Sequence, residues 1–187
     1  MDEFSYLSVL LSIIIGLAIT EILQGFRQLL LARRHVRSYW PVLVWGFVLL
    51  AIATQMWWSS FGLRARHQWT FAMFAVVLLQ TALLYMQAGL VFPEFSQPGT
   101  TDLRQHYFAQ QRWFFSFLSS ILIVSVCKDL ILGGTLPSPG NLLFHVVFFG
   151  VAIAGALIAS ERFHKVLAIG ALLGFAAYIV ALFSRLR

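Results

Sequence analysis

Six apolar runs, each long enough to cross a bilayer as a helix, dominate this sequence: Ser5 to Leu31, Tyr39 to Leu63, Trp69 to Phe92, Trp113 to Leu132, Leu142 to Ser160 and Val166 to Phe183. In hydrocarbon, every backbone N–H and C=O must be satisfied by the chain itself, which leaves only helices and closed barrels. Runs of about twenty apolar residues select helices; a barrel would show roughly ten-residue segments of alternating polarity. The expected fold is therefore an all-α integral membrane protein. It is a bundle of six transmembrane helices with short loops, forming a single domain over residues 1–187.

Composition closes off the soluble alternatives. Hydrophobic residues make up 60% and charged residues 11% of the chain, where a soluble domain carries about 25% charge. Mean hydropathy is +0.84. The net charge of +6 does not point to nucleic acid, because the basic residues fall in short connections between apolar runs, where topology-setting charges belong. The first run lacks a basic leader and a small-residue cleavage site, so it reads as a retained helix. Cys127 is the single cysteine, which excludes an intrachain disulfide or a CxxC pair.

Orientation follows from the basic residues on the two sides that six crossings define. One side carries Arg27, Arg33, Arg34, Arg37, Arg104, Arg112, Arg162 and Lys165; the other carries Arg64, Arg66, Arg185 and Arg187, so the count is eight against four. The positive-inside rule puts the first group in the cytoplasm and both termini outside, in a bacterial inner (cell) membrane. The longest connection, from Pro93 to Arg112, is then cytoplasmic. It holds a turn signal at Gln97-Pro98-Gly99 and a capping residue, Thr101 or Asp102, before Leu103. A helix capped there can run without a break into the fourth crossing, giving about 30 residues and roughly 45 Å.

Function is to be sought where polar residues interrupt the apolar runs. Ser8, Ser12, Gly16, Thr20, Gln24 and Gln28 recur every four residues on the first helix, a small-residue row grading into amides that suits close helix packing and interhelical hydrogen bonds. Glu21 lies beside the row and Arg27 follows. The two are rotated by roughly 120° from each other and do not form a helical pair. A carboxylate within a crossing needs a partner or water. The row places helix one in the interior, with Glu21, Gln24, Gln28, Thr20 and Arg27 lining a polar path. Arg27, near the helix end, can instead snorkel to the headgroups.

Small residues also mark the last two helices, at Gly150/Ala154, Gly155/Ala159 and Gly170/Gly174, so helices one, five and six are expected to pack as an inner group. Such seams also suit a homo-oligomer. Helices two and three, with Trp45, Phe47, Trp57, Phe71 and Phe74, suit lipid contact, but Gln55, Gln80, Thr81, Tyr85 and Gln87 still require partners. Lys128-Asp129 near the end of helix four form a second charged pair, pointing about 100° apart. Phe4-Ser5-Tyr6-Leu7-Ser8 and Phe115-Ser116-Phe117-Leu118-Ser119 open helices one and four alike, a weak mark of a 3+3 inverted repeat.

Enzymatic chemistry has thin support. Asp102 with His106 and Glu161 with His164 stand at helical spacings on the cytoplasmic face, where they are weak candidates for a metal site. No HExxH, P-loop, GxSxG or paired-cysteine signature occurs. His145 has no second intramembrane histidine to make a bis-His haem, so it reads as a hydrogen-bonded core residue. No cofactor is expected, and an enzyme is the lesser reading. The expected function is an ion or small-solute channel or transporter, with the helix-one row lining its path. The alternatives are a non-catalytic subunit or sensor that binds a protein partner, and a membrane enzyme with a cytoplasmic His/acid site.

Overall fold

The chain folds, in a computed structural model that describes residues 3–66, 68–95 and 100–182, as a bundle of six long helices. These are α1 Glu3–Leu31, α2 Trp40–Ser60, α3 Phe71–Val91, α4 Leu103–Gly133, α5 Pro139–Leu157 and α6 Glu161–Leu182. Each, α2 together with the 3-10 turn that follows it, is long and apolar enough to cross a membrane. The turn expected at Gln97-Pro98-Gly99, and Arg185 and Arg187, lie outside the described residues.

Local chemistry explains the helix ends. Asp102 Oδ1 accepts hydrogen bonds from the backbone N–H of Arg104 at 2.9 Å and of Gln105 at 3.1 Å, satisfying two otherwise orphaned donors. From this cap α4 runs unbroken for 31 residues. At its far end Gly134, at φ 68°, takes the left-handed conformation and donates to the Leu130 carbonyl, a cap that a side chain would strain. Pro139 does more than stop α4: it opens α5 in the first turn, where its missing N–H costs nothing. Thr70 caps α3 through its side chain.

The two ends of the bundle are distinct. At one, β1 (Val36–Arg37) pairs in parallel with β2 (Thr101–Asp102), and Glu161 bridges Arg104 and Lys165. At the other, the start of α1 meets the α2–α3 connection: Glu3 accepts from the Trp69 N–H at 3.1 Å, and Phe4 stacks on the Trp69 ring. The 3-10 turn Phe61–Ala65 and the α4–α5 turn lie at this second end.

Packing differs from the expected inner group of helices one, five and six. α1 packs on α3 and α2, α4 on α3 and α5, and α6 chiefly on α2, while α5 and α6 touch only lightly. The aromatic helices α2 and α4 furnish much of the core: Trp45, Leu49 and Phe115 are fully enclosed. Bulk on one helix is matched by glycine on its neighbour. A Cβ at Gly155 would stand 2.6 Å from the Phe115 ring, so α5 approaches α4 only because that position has no side chain. Gly150 and Gly170, by contrast, face open space. Small residues permit close approach without specifying the neighbour, which is why the row on α5 was legible as a seam and its partner was not.

Candidate functional site

A cavity of about 940 Å³ opens in the bundle at the Phe61–Ala65 end. Its rim is formed by the 3-10 turn and the α4–α5 turn, and it descends between the helices to Gln80 and Thr81 of α3. Gln80 lies nine residues into α3, so the floor is about 14 Å below that helix's start, well along a helix of 21 residues. Four helices bring polar groups to its wall: Gln55 from α2, Gln80 and Thr81 from α3, Lys128 and Asp129 from α4, and Asn141 from α5. These polar groups interrupt a wall that also carries Leu11, Ile15, Val77 and Leu132.

Three of these groups are poised to meet something other than protein. Gln80 is 6% exposed, yet its amide hydrogen-bonds to no described residue, and neither Lys128 nor Asp129 makes a hydrogen bond or an ion pair within 4 Å with one. An unpartnered buried amide or charge is costly, so polar groups gathered in a roomy cavity call for water or a polar ligand. Arg66, at the rim, is already engaged: its guanidinium donates to the Leu132 carbonyl at the C-terminal end of α4, where cations are favoured.

Below this chamber lies a second, apolar one of about 80 Å³. The two share Gln55, Met56, Gln80, Ser125 and Tyr178 in their walls, and the lower is lined by rings of Trp45, Phe144, Phe148 and Phe175. His145 stands beside it as the hydrogen-bonded core residue its isolation implied. One ring nitrogen, Nδ1, faces the Asn141 carbonyl at 2.9 Å and therefore carries the proton; Nε2 accepts from the Ser125 hydroxyl at 3.0 Å. Tyr178 donates to Asn141 Oδ1 at 3.0 Å.

Toward the opposite end of the bundle lies a buried hydrogen-bonded chain. Trp45 Nε1–H donates to the Tyr107 hydroxyl at 3.2 Å, and that hydroxyl lies 2.8 Å from His164 Nδ1. His164 Nε2 is 2.7 Å from the Ile158 carbonyl. A carbonyl only accepts, so Nε2 holds the proton and Nδ1 accepts from Tyr107. One turn along α4, Gln111 Nε2 donates to the carbonyls of Gly155 at 2.7 Å and Ile158 at 3.1 Å. Edge-on contacts of Tyr107 and Phe108 with the His164 ring fill the space between.

The residues that the sequence singled out are distributed over three places. Lys128 and Asp129 line the cavity. Thr20, Glu21, Gln24, Arg27 and Gln28 do not: they are exposed on the outer face of α1, whose inward face is Leu11, Ile15, Ala18, Ile22 and Gly25. Within one chain, the cavity's α1 wall is Leu11 and Ile15, so the helix-one row is not interior. The reason is that four-residue spacing defines a face without saying which way it turns, and the adjoining apolar face won the contacts with α2 and α3.

The four weak metal candidates are separately occupied. Asp102 caps α4, His106 Nε2 donates to the Leu90 carbonyl at 3.0 Å, Glu161 bridges Arg104 and Lys165, and His164 is sealed in the core. Among the described residues, no group of three or more His, Cys, Asp or Glu is gathered as metal ligands would be. Gln55, Gln80 and Thr81 are the functional candidates that the sequence reading left aside. Their signal was present, as amides and a hydroxyl mid-crossing on helices otherwise suited to lipid.

No protein-family model matches this chain, and no curated protein or solved structure matches it significantly.

Proposed function

We propose that this protein is an integral membrane conduit or transporter for a small polar solute, entered through the Lys128/Asp129 cavity. One observation carries the reading: a chamber of about 940 Å³ whose wall holds Gln80, Lys128 and Asp129, none of them hydrogen-bonded or ion-paired with a described residue, inside a bundle of six helices long enough to span a membrane. Intramembrane polar groups that face the bundle interior mark solute and ion pathways by default. The positive-inside count puts the cavity mouth and both termini outside a bacterial inner membrane, and the Trp45–Tyr107–His164 end in the cytoplasm. In this reading the buried Trp45–Tyr107–His164 chain closes the cytoplasmic end while the cavity opens at the other, the form that alternating access requires. This reading needs no inverted repeat, and α2 packs on α6 without α5 packing comparably on α3.

The experiment is flux through the purified chain reconstituted in liposomes, across gradients of Na⁺, K⁺, Cl⁻, H⁺ and small uncharged solutes. Flux of at least one species, slowed several-fold in Gln80→Leu, supports the conduit. Liposomes tight to every species in both native and variant protein overturn it.

A second reading is favoured by the outer face of α1. Exposed Glu21, Gln24 and Gln28 in hydrocarbon are costly unless another helix covers them, which supports assembly with further copies of this chain or with a protein partner. Under this reading the protein is a non-catalytic subunit, silent alone. Both readings accommodate a homo-oligomer in which the α1 row is the seam.

A further inference from the structure

We infer that the paired chambers take a small zwitterion, with an ammonium and a carboxylate carried on an apolar body, as an apolar α-amino acid is. The inference rests on the conduit reading for the access of water-borne solute to the cavity. Three observations converge on it.

First, the charged wall is bipolar. Lys128 and Asp129 are neighbours on α4, both line the upper chamber, and neither is paired with a described residue. A carboxylate ligand would answer Lys128 and leave Asp129 facing it with like charge; an amine ligand would do the reverse. Only a ligand with both signs answers both without adding net charge to a partly dehydrated site. Adjacent helical positions diverge by about 100°, so although Asp129 acts on Lys128 through space, no ion pair closes between them within 4 Å and the two present separate points of attachment. Arg66, at the rim, keeps its charge while its guanidinium is oriented by the Leu132 carbonyl, so it adds a second cation that a ligand carboxylate meets on entering.

Second, the amides are positioned to complete the recognition. Gln80, almost fully buried and with no described partner, offers both a donor and an acceptor to the same space, as does Gln55. Such groups reject analogues that cannot use them, because they are then left unpaired.

Third, the chamber beneath is apolar and shares Gln55, Met56, Gln80, Ser125 and Tyr178 with the wall of the first. Trp45, Phe144, Phe148 and Phe175 enclose about 80 Å³ directly under the polar wall. A ligand whose charged end sits at Lys128 and Asp129 can place an aliphatic or aromatic group there, which is the usual division of labour in a small-molecule site. Two connecting turns, Phe61–Ala65 and the α4–α5 turn, line the upper chamber, which favours entry from solution over entry from the lipid leaflet.

The test is calorimetric binding to the purified native chain in nanodiscs, with phenylalanine, leucine and glycine as probes, and with phenylpropionate and phenylalaninamide as single-charge analogues. Phenylalanine or leucine should bind, and glycine and both single-charge analogues should bind about tenfold more weakly or worse. Lys128→Gln should abolish discrimination against the amide, and Asp129→Asn should abolish discrimination against phenylpropionate, a reciprocal loss that general misfolding does not produce. Absence of binding by every zwitterion, equal binding of the single-charge analogues, or unchanged selectivity in both variants overturns the inference. So does binding that vanishes when phosphatidylethanolamine is omitted from the nanodisc, since the occupant is then a lipid headgroup. Ion flux without zwitterion binding preserves the conduit and sinks this inference; zwitterion binding without flux of the bound species does the opposite.

Discussion

The Tyr107 hydroxyl lies 2.8 Å from His164 Nδ1, and three residues earlier on each helix Arg104 Nε lies 2.8 Å from Glu161 Oε2. Equal steps in the same direction mean that α4 and α6 run parallel, as two helices crossing in the same sense must. These rungs join α4 to α6 at the Asp102 end of the bundle, the inner one buried and the outer one exposed.

Tyr107→Phe should destabilise the protein by about 1 to 3 kcal/mol, because it removes the partner of both Trp45 Nε1–H and His164 Nδ1 while keeping the ring. Thermal unfolding in detergent reads this. An unchanged midpoint would mean that the chain of hydrogen bonds contributes nothing net.

Gly155→Ala should cost about 1 to 3 kcal/mol through overpacking, since its new methyl meets the Phe115 ring. Phe115→Leu in the same chain should recover part of that loss, a coupling expected only of residues in contact. Gly170→Ala, with nothing within 4 Å, should leave a single chain unaffected. If Gly170→Ala instead changes the oligomeric state, that face is an interface between copies.

How much of this was readable in advance depends on how local the signal is. The six helices, the Asp102 cap and the long α4 were legible because hydropathy, proline placement and capping act over a few residues. The direction of the α1 row was not, because Ser12, Gly16 and Gln24 pack equally well against a helix of the same chain or of another. The cavity was hidden for a different reason: Gln55, Gln80, Lys128 and Asn141 come from four helices, and no spacing along the chain brings them together. His164 misled because its three-residue distance from Glu161 suggested a shared surface, whereas the α6 start turns one inward to Tyr107 and the other outward to Arg104.

Orientation is open to a direct check. With Cys127 replaced, a single cysteine at Ser138 should react with an impermeant thiol reagent in intact cells, and one at Ser38 should react only after permeabilisation. Labelling at Ser38 alone in intact cells would invert the topology.

Glu21→Gln should keep the helix packed, because the side chain is exposed and makes no hydrogen bond or ion pair with a described residue, but should weaken assembly with whatever covers the α1 face. Native size analysis in mild detergent reads the change. A native protein that is monomeric and remains unaffected by both Glu21→Gln and Glu21→Leu would remove α1 from any account of assembly.

The central claim is that the Lys128/Asp129 cavity is filled from the water outside the membrane. It is tested by placing a cysteine at Gln80 in a Cys127→Ser chain, reconstituting the protein, and adding a small charged thiol reagent from the Arg66 side. The account predicts rapid modification at Gln80, slowed by a solute that occupies the cavity, and a fall in flux once the position is modified. A cysteine at Gln80 that stays unreactive from that side, while one at Ser138 reacts, would contradict it.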